Sequence, residues 1–394
     1  MKPRIFINMH YMEIGGAERA LLGLLNAIDT NKVDVDLFIN QHTGEFMKLI
    51  PNKINLQPEI GAYSVIEKPI TTAIKKGHIG IAFARLLAKV HYTIKNLRKN
   101  NDDASIFNLV AKYTTPLLPS LKKYGEYDLA ISFLTPHNIV KEKVCAKRKL
   151  AWIHTDYTKI SVDVKAELPI WTSFDKVVSI SNDVTNTFTQ VFPSLKKKII
   201  EIENILSSSF IKQQASLFVP NEMQGDCIKL CSIGRFCYAK NFENIPFIAQ
   251  RLKEKRLNFK WYIIGFGDTS ETIENIYKTN TGDCVILLGK KENPYPYIAN
   301  CDIYVQPSRY EGKSVTVREA QILCKPVIIT NYPTAKSQVK DGIDGIICEM
   351  DNESIAEAIF NLAQTKEKQI NISNYLSTHD FGNESEVEKI YQLL

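Results

Sequence analysis

The chain has 394 residues, 44% of them hydrophobic and 23% charged, with a formal net charge of +6. That length exceeds the roughly 250–300 residues at which single cores stop growing, so two domains are expected, and the ordinary composition excludes a disordered or fibrous protein. No run approaches the roughly 18 apolar residues of a membrane-spanning helix, and the opening MKPRIFINMHYMEIGG does not read as a secretory signal.

The first forty residues predict a strand at RIFIN, a glycine turn, a helix and a second strand at VDVDLFI. In the helix Ala17, Leu21, Leu24, Leu25 and Ile28 recur at helical spacing, the stripe of a helix packed on a sheet, so the unit opens a parallel sheet. Gly15-Gly16-Ala17-Glu18-Arg19 joins strand to helix. Paired glycines at a helix start admit a ligand to the backbone and favour phosphate, although a plain capping turn explains them equally well. The pattern is not GxGxxG, so a dinucleotide fingerprint is not supported.

The basic charge is concentrated in residues 69–100, where Lys75, Lys76, Arg85, Lys89, Lys95, Arg98 and Lys99 stand with no acid. Ile79, Phe83, Leu86, Leu87, Val90, Ile94 and Leu97 fall within roughly 100° of a helical wheel. Two readings stay open: a helix packed on the first sheet with a solvated basic face, or an amphipathic surface over residues 79–99 that docks on anionic lipid. Nucleic acid is not expected, because no exposed aromatics interleave with the cations.

Further strands are expected at YDLAISF (127–133), LAWIH (150–154) and KVVSIS (176–181). His154 and Asp156 follow the second of these, where an imidazole can meet a sugar hydroxyl or serve structure alone. A Ser/Gln-rich stretch after residue 206 reads as a linker, and the strand pattern then restarts at IKLCSIG (228–234). FKWYIIG, CVILLG, DIYVQPS, PVIIT and GIICE follow, apolar on both faces as in a parallel sheet covered by helices. The expected architecture is α/β: a Rossmann-like domain over 1–205, a second over 206–375, and a helix over 376–394 packing back on the first, with the two domains facing a central cleft. The eight cysteines show no metal-ligand spacing and read as packed, reduced thiols of a cytoplasmic protein.

In the second half Gly234-Arg235-Phe236-Cys237-Tyr238-Ala239-Lys240 leaves the first strand with two cations, which suits a diphosphate. After DIYVQPS comes Ser308-Arg309-Tyr310-Glu311-Gly312-Lys313-Ser314-Val315-Thr316-Val317-Arg318-Glu319. Glu311 lies in the loop and Glu319 within the following helix, whose start offers backbone N–H groups at Ser314 and Val315 to an anion or hydroxyl. Two glutamates so placed can hold two parts of one polyhydroxylated ligand, or else be a solvated loop charge and part of an exposed helical face.

The order GGAER, GRFCYAK, YIIGFGD and SRYEGKSVTVREAQILCKPVIIT resembles the retaining GT-B glycosyltransferases of family four, those of bacterial capsule, exopolysaccharide and lipopolysaccharide synthesis in particular. The resemblance covers about residues 1–50 and 150–350 and leaves 50–125 unassigned. It implies a hexosyltransferase that uses a UDP- or GDP-sugar as co-substrate, without metal or other cofactor, and a glycan or lipid-linked acceptor. It also implies residence in the cytoplasm or peripherally on the inner face of the membrane. Gly15 and Gly16 match the family's glycine loop, and Gly234, Arg235 and Lys240 its diphosphate site. Glu311 with Gly312, Lys313, Ser314 and Val315 matches the donor-sugar loop, Glu319 the ribose ligand, and His154 a histidine at the reacting sugar. Lys313-Ser314 and Cys324 depart from the family, which has an aromatic residue followed by a small or apolar one, and a glycine, at those places. A silent nucleotide-sugar-binding subunit, or an epimerase on the same scaffold, remains the alternative.

Overall fold

The computed structural model describes residues 2–96, 105–155, 157, 160, 162–311 and 314–394. Two compact units divide the chain: Met1–Ile205 with Glu384–Leu394, and Leu206–Asn383. Each is a parallel, doubly wound sheet, so the α/β expectation holds in the GT-B sense of two Rossmann-like domains.

In the first unit the strands are β1 (Arg4–Met9), β2 (Asp34–Ile39), β3 (Asn55–Leu56), β4 (Glu126–Ser132), β5 (Cys145–Ile153), β6 (Lys176–Ser179) and β7 (Ile199–Glu201). They lie in the order β3-β2-β1-β4-β5-β6-β7. The apolar runs read from the sequence supply these strands, except two-residue β3 and three-residue β7, which are too short to show a pattern. Helix Gly16–Ala27 buries Leu21, Leu24 and Leu25 as its stripe requires. A Cβ on Gly23 would lie 1.8 Å from the Ile205 carbonyl oxygen, so this helix meets the chain's exit only because residue 23 is glycine.

Residues 376–394 are not one helix. Helix Lys366–Thr378 stops before His379-Asp380-Phe381-Gly382-Asn383, where Asp380 Oδ1 accepts from the Gly382 N–H (2.9 Å) instead of the backbone continuing the helix. Glu384–Val387 then forms a 3-10 turn and Glu388–Tyr391 a short helix. The Tyr391 hydroxyl accepts from the Asp29 N–H (2.7 Å), and Lys32 pairs with Glu388 (2.9 Å).

The second unit contains β8 (Ile228–Phe236), β9 (Phe259–Gly267), β10 (Val285–Gly289), β11 (Ile303–Gln306), β12 (Val327–Thr330) and β13 (Ile346–Cys348), in the order β10-β9-β8-β11-β12-β13. The stretch read as linker contains helix Ser208–Ala215. Ser207 caps it, its hydroxyl accepting from the Phe210 N–H at 3.3 Å, and Phe210 and Ile211 are buried.

Helix Ile79–Asn96 differs from the simpler of its two readings. Ile81, Ala82, Ala84 and Ala88 are buried, while the bulky positions face solvent, from 40% exposed at Leu87 to 68% at Ile79, with Phe83 at 60%. The helix carries two apolar faces, and the alanine face packs because small side chains allow close approach. Arg85 turns inward and donates to the carbonyls of Val65 (3.1 Å) and Lys68. Leu97, Arg98 and Lys99 lie outside the described residues. No helix among the described residues is long and apolar enough to cross a membrane.

Candidate active site

In a doubly wound sheet the strand order reverses at one place, and the crevice at the carboxyl ends of the strands there is where ligands bind. In the second unit this switch point lies between β8 and β11. Lys240 follows β8 and Glu311 follows β11, and they meet as an ion pair at 2.5 Å with side chains 19% and 12% exposed. Gly234 makes room for it: a Cβ there would stand 3.2 Å from Cδ and Cε of Lys240 and from the Phe242 ring.

Glu311 is held by a relay of donors from β11 and the residues after it. The Tyr304 hydroxyl donates to Gln306 Oε1 (2.9 Å), Gln306 Nε2 to Ser308 Oγ (2.9 Å), and Ser308 Oγ to Glu311 Oε1 (2.7 Å). Tyr304, Gln306 and Ser308 are wholly buried, so this line of polar groups is tolerated only because each is hydrogen-bonded. Thr334 Oγ1 donates to the Glu311 carbonyl at 2.9 Å. These residues were missed in the sequence. Their signal is the alternation in Ile303-Tyr304-Val305-Gln306-Pro307-Ser308, which puts Tyr, Gln and Ser on one face of a strand whose other face is apolar.

Arg309 ties the two loops together. Its N–H donates to the Ala239 carbonyl (2.8 Å), its guanidinium donates to the Tyr238 carbonyl (2.6 Å) and pairs with Glu243, and it stacks 4.2 Å over the Tyr238 ring. Arg235 is exposed, 5.5 Å over the Phe266 ring, and holds no carboxylate among the described residues. Ser314 is buried at the start of helix Val315–Ile322, with its N–H already donated to Gln338 Oε1 (3.0 Å); Val315 is exposed. Glu319 is not on an exposed helical face: it is wholly buried and accepts from the Tyr295 hydroxyl at 2.9 Å. Gly312, Lys313 and Asp156 lie outside the described residues.

Cys324 has a left-handed backbone, φ 57°. Its N–H donates to the Gln321 carbonyl and that of Lys325 to Ala320, both at 2.9 Å, so Cys324 closes the site helix in the position that favours glycine.

In the first unit the switch point lies between β1 and β4. Gly15 caps helix Gly16–Ala27 after β1, and a Cβ on Gly16 would meet nothing within 4 Å, so packing does not demand glycine there. His154 follows β5, stacked on Trp152 with ring centroids 6.2 Å apart and 4.7 Å from Phe133. Burial pushes its pKa down to about 4, against an opposing hydrogen bond with the Phe133 backbone.

Two histidines that the sequence did not single out stand beside the same crevice. His137 follows β4, hydrogen-bonds Ser132 Oγ through Nδ1 (2.8 Å), and is pushed down to about 3 by burial and by the charges of His10 and His154. His10 follows β1, and its Nδ1 contacts Glu67 Oε1 at 2.6 Å. Nε2 of all three rings is buried with no hydrogen-bond partner among the described residues.

Residues 214–378 match the family described as Glycosyl transferases group 1. An uncharacterized glycosyltransferase of Haemophilus influenzae is 22% identical over 99% of both chains. One of Methanocaldococcus jannaschii is 27% identical, but the match spans 50% of this chain and only 52% of that protein. A Campylobacter jejuni protein named as an N-acetylgalactosaminyltransferase acting on N-acetylgalactosamine-N,N'-diacetylbacillosaminyl-diphospho-undecaprenol is 31% identical over 32% of this chain and 34% of its own. The fold is similar to that of Staphylococcus aureus TarM, crystallised with UDP and alpha-GlcNAc-glycerol, with TM-score 0.64, 13% identity and coverage of 100% and 99% of the two chains.

Proposed function

We propose that this chain is a retaining glycosyltransferase that moves a hexose from a UDP- or GDP-sugar to a lipid-linked glycan in cell-surface polysaccharide synthesis. The observation that carries the reading is the Lys240–Glu311 pair at the switch point of the second unit, buttressed by buried Tyr304, Gln306 and Ser308. The ammonium of Lys240, held in a partly desolvated site, meets the negative charge that grows on the diphosphate as the glycosidic bond breaks. Arg235, which holds no carboxylate, is free to take a second phosphate oxygen. Glu311 accepts from hydroxyls of the donor sugar, and Glu319, anchored by Tyr295, from the ribose. The acceptor hydroxyl attacks on the face that the nucleoside diphosphate leaves, and a phosphate oxygen takes its proton, so no protein nucleophile and no metal is required.

A lipid-linked acceptor places the enzyme at the cytoplasmic face of a membrane. The outward-facing stripe of Ile79, Phe83, Leu86, Leu87, Val90 and Ile94, in a segment rich in lysine and free of acids, fits that surface in both polarity and charge. Support for the acceptor class comes from the Campylobacter relative named for a diphospho-undecaprenol substrate.

The test is calorimetry against UDP-, GDP- and ADP-sugars in chelator, followed by transfer of labelled sugar to a lipid extract. One nucleotide sugar is expected to bind and to label the lipid fraction. A protein that binds none of the panel is not this enzyme, and one that converts its donor without any acceptor is an epimerase.

A further inference from the structure

The loops that leave β8 and β11 are joined just before they deliver the Lys240–Glu311 pair. The Arg309 N–H donates to the Ala239 carbonyl at 2.8 Å, which sets these two residues side by side. Lys240 is one residue further along its loop and Glu311 two further along its own, so at about 3.8 Å per residue both charged groups leave from a common root. A main-chain bond survives any change of side chain. What the Arg309 side chain adds is a second hold on the β8 loop, through the Tyr238 carbonyl at 2.6 Å and the Tyr238 ring at 4.2 Å, and an ion pair with Glu243.

Glu243 gives the guanidinium a fixed anchor. Its carbonyl accepts from Asn275 Nδ2 at 2.8 Å, and Asn275 is buried on helix Ser270–Thr279. Between Tyr238 and Glu243 the chain turns through Asn241, which is buried and left-handed with φ 60°. Such a backbone at a non-glycine residue is sustained by the contacts around it. Lys240 stands in this span on a flexible four-carbon stem, so the direction of its ammonium depends on how firmly the loop is held. The Arg309 guanidinium is not a further phosphate ligand in this arrangement: Glu243 offsets its charge, and its hydrogen bonds go to the loop and to that carboxylate.

We propose that Arg309 is a positioning residue of the transfer reaction: with Glu243 it clamps residues 238–243 so that the Lys240 ammonium stands on Glu311, aimed where charge develops on the leaving diphosphate. The gain in turnover rests on the transferase reading, whereas the alignment of Lys240 does not. A misplacement of about 1 Å costs roughly 10²-fold in rate, so a loosened clamp is expressed in turnover before it is expressed in binding.

The test reads Lys240 first and the reaction second. Labelling of the whole chain with acetic anhydride, followed by peptide mass spectrometry, reports how available the Lys240 amine is. In Arg309→Gln its labelling relative to exposed Lys366 should rise about fivefold as the ion pair loosens. Glu243→Ala, which removes the anchor, should do the same and decides the question if Arg309→Gln does not fold. In transfer of labelled sugar to the lipid extract, Arg309→Gln should lower kcat about 10–100-fold, with donor KM and affinity for the matching nucleoside diphosphate changed less than about threefold. The double variant should be no slower than Arg309→Gln alone, because both residues act through one contact. Unchanged Lys240 labelling in the folded variants, a loss confined to melting temperature or to KM, or additive losses in the double variant overturns the proposal. If the wild-type chain transfers no sugar while the variants still expose Lys240, the transferase reading falls and the clamp stands.

Discussion

The two units place different chemistry at the same topological position. At the β8/β11 switch the groups are charged and internally satisfied: Lys240 on Glu311, Arg309 on Glu243, and a buried relay behind them. At the β1/β4 switch they are imidazoles, the Asn138 amide and the Glu67 carboxylate against His10, two of the rings driven neutral by burial, with Nε2 of the three rings making no hydrogen bond among the described residues. A paired charge site is pre-organised for an anionic ligand whose charge changes during reaction. A crevice of buried imidazoles and an amide is suited to polar groups that keep their charge. Under the proposed function, that is the contrast between donor diphosphate and acceptor glycan.

The strongest way to break the comparison is Lys240→Ala, which should lower turnover by about 10²–10³-fold while UDP affinity changes far less, because leaving-group charge develops in the transition state. Steady-state rates at saturating donor beside UDP calorimetry check it, and an unchanged rate would make the charged switch point structural. The neutral switch point has its own signature, in stability. His137 and His154 have folded pKa values of about 3 and about 4, below the unfolded value, so their contribution is complete above about pH 6.5 and falls as the pH drops toward the folded values. From pH 6.5 to 4.5 each should cost about 2 kcal/mol. Urea unfolding at the two pH values measures this, and His137→Gln should remove about half of the loss.

A smaller effect concerns the outer face of the first unit. Phe83→Asp should weaken binding to anionic phosphatidylglycerol vesicles by about 10–100-fold, the loss of one inserted aromatic side chain, in a flotation assay. Its melting temperature should not move, since Phe83 is 60% exposed in the folded chain. The smallest is Cys324→Gly, which relieves a left-handed β-carbon at the end of the second unit's site helix and should stabilise by about 1 kcal/mol in urea unfolding.

The sequence by itself determined the two parallel sheets and the strand ends from which Lys240, Glu311 and His154 emerge, because buried strands must be apolar and break at glycine and polar turns. It also located the amphipathic helix Ile79–Asn96 within the segment expected over residues 79–99. Which side of that helix would be buried was a tertiary decision: its bulky stripe dominates any periodicity, but the face of Ala82, Ala84 and Ala88 packs closest. The relay through Tyr304, Gln306 and Ser308 needed the strand's pleat and burial before three ordinary polar residues became one support for Glu311. The meeting of His10, Glu67, His137 and Asn138 needed the sheet order, because β1 and β4 are neighbours in space and far apart in the chain. Periodicity records which residues a strand or helix hides. Only the packed fold decides which distant polar groups are hidden together.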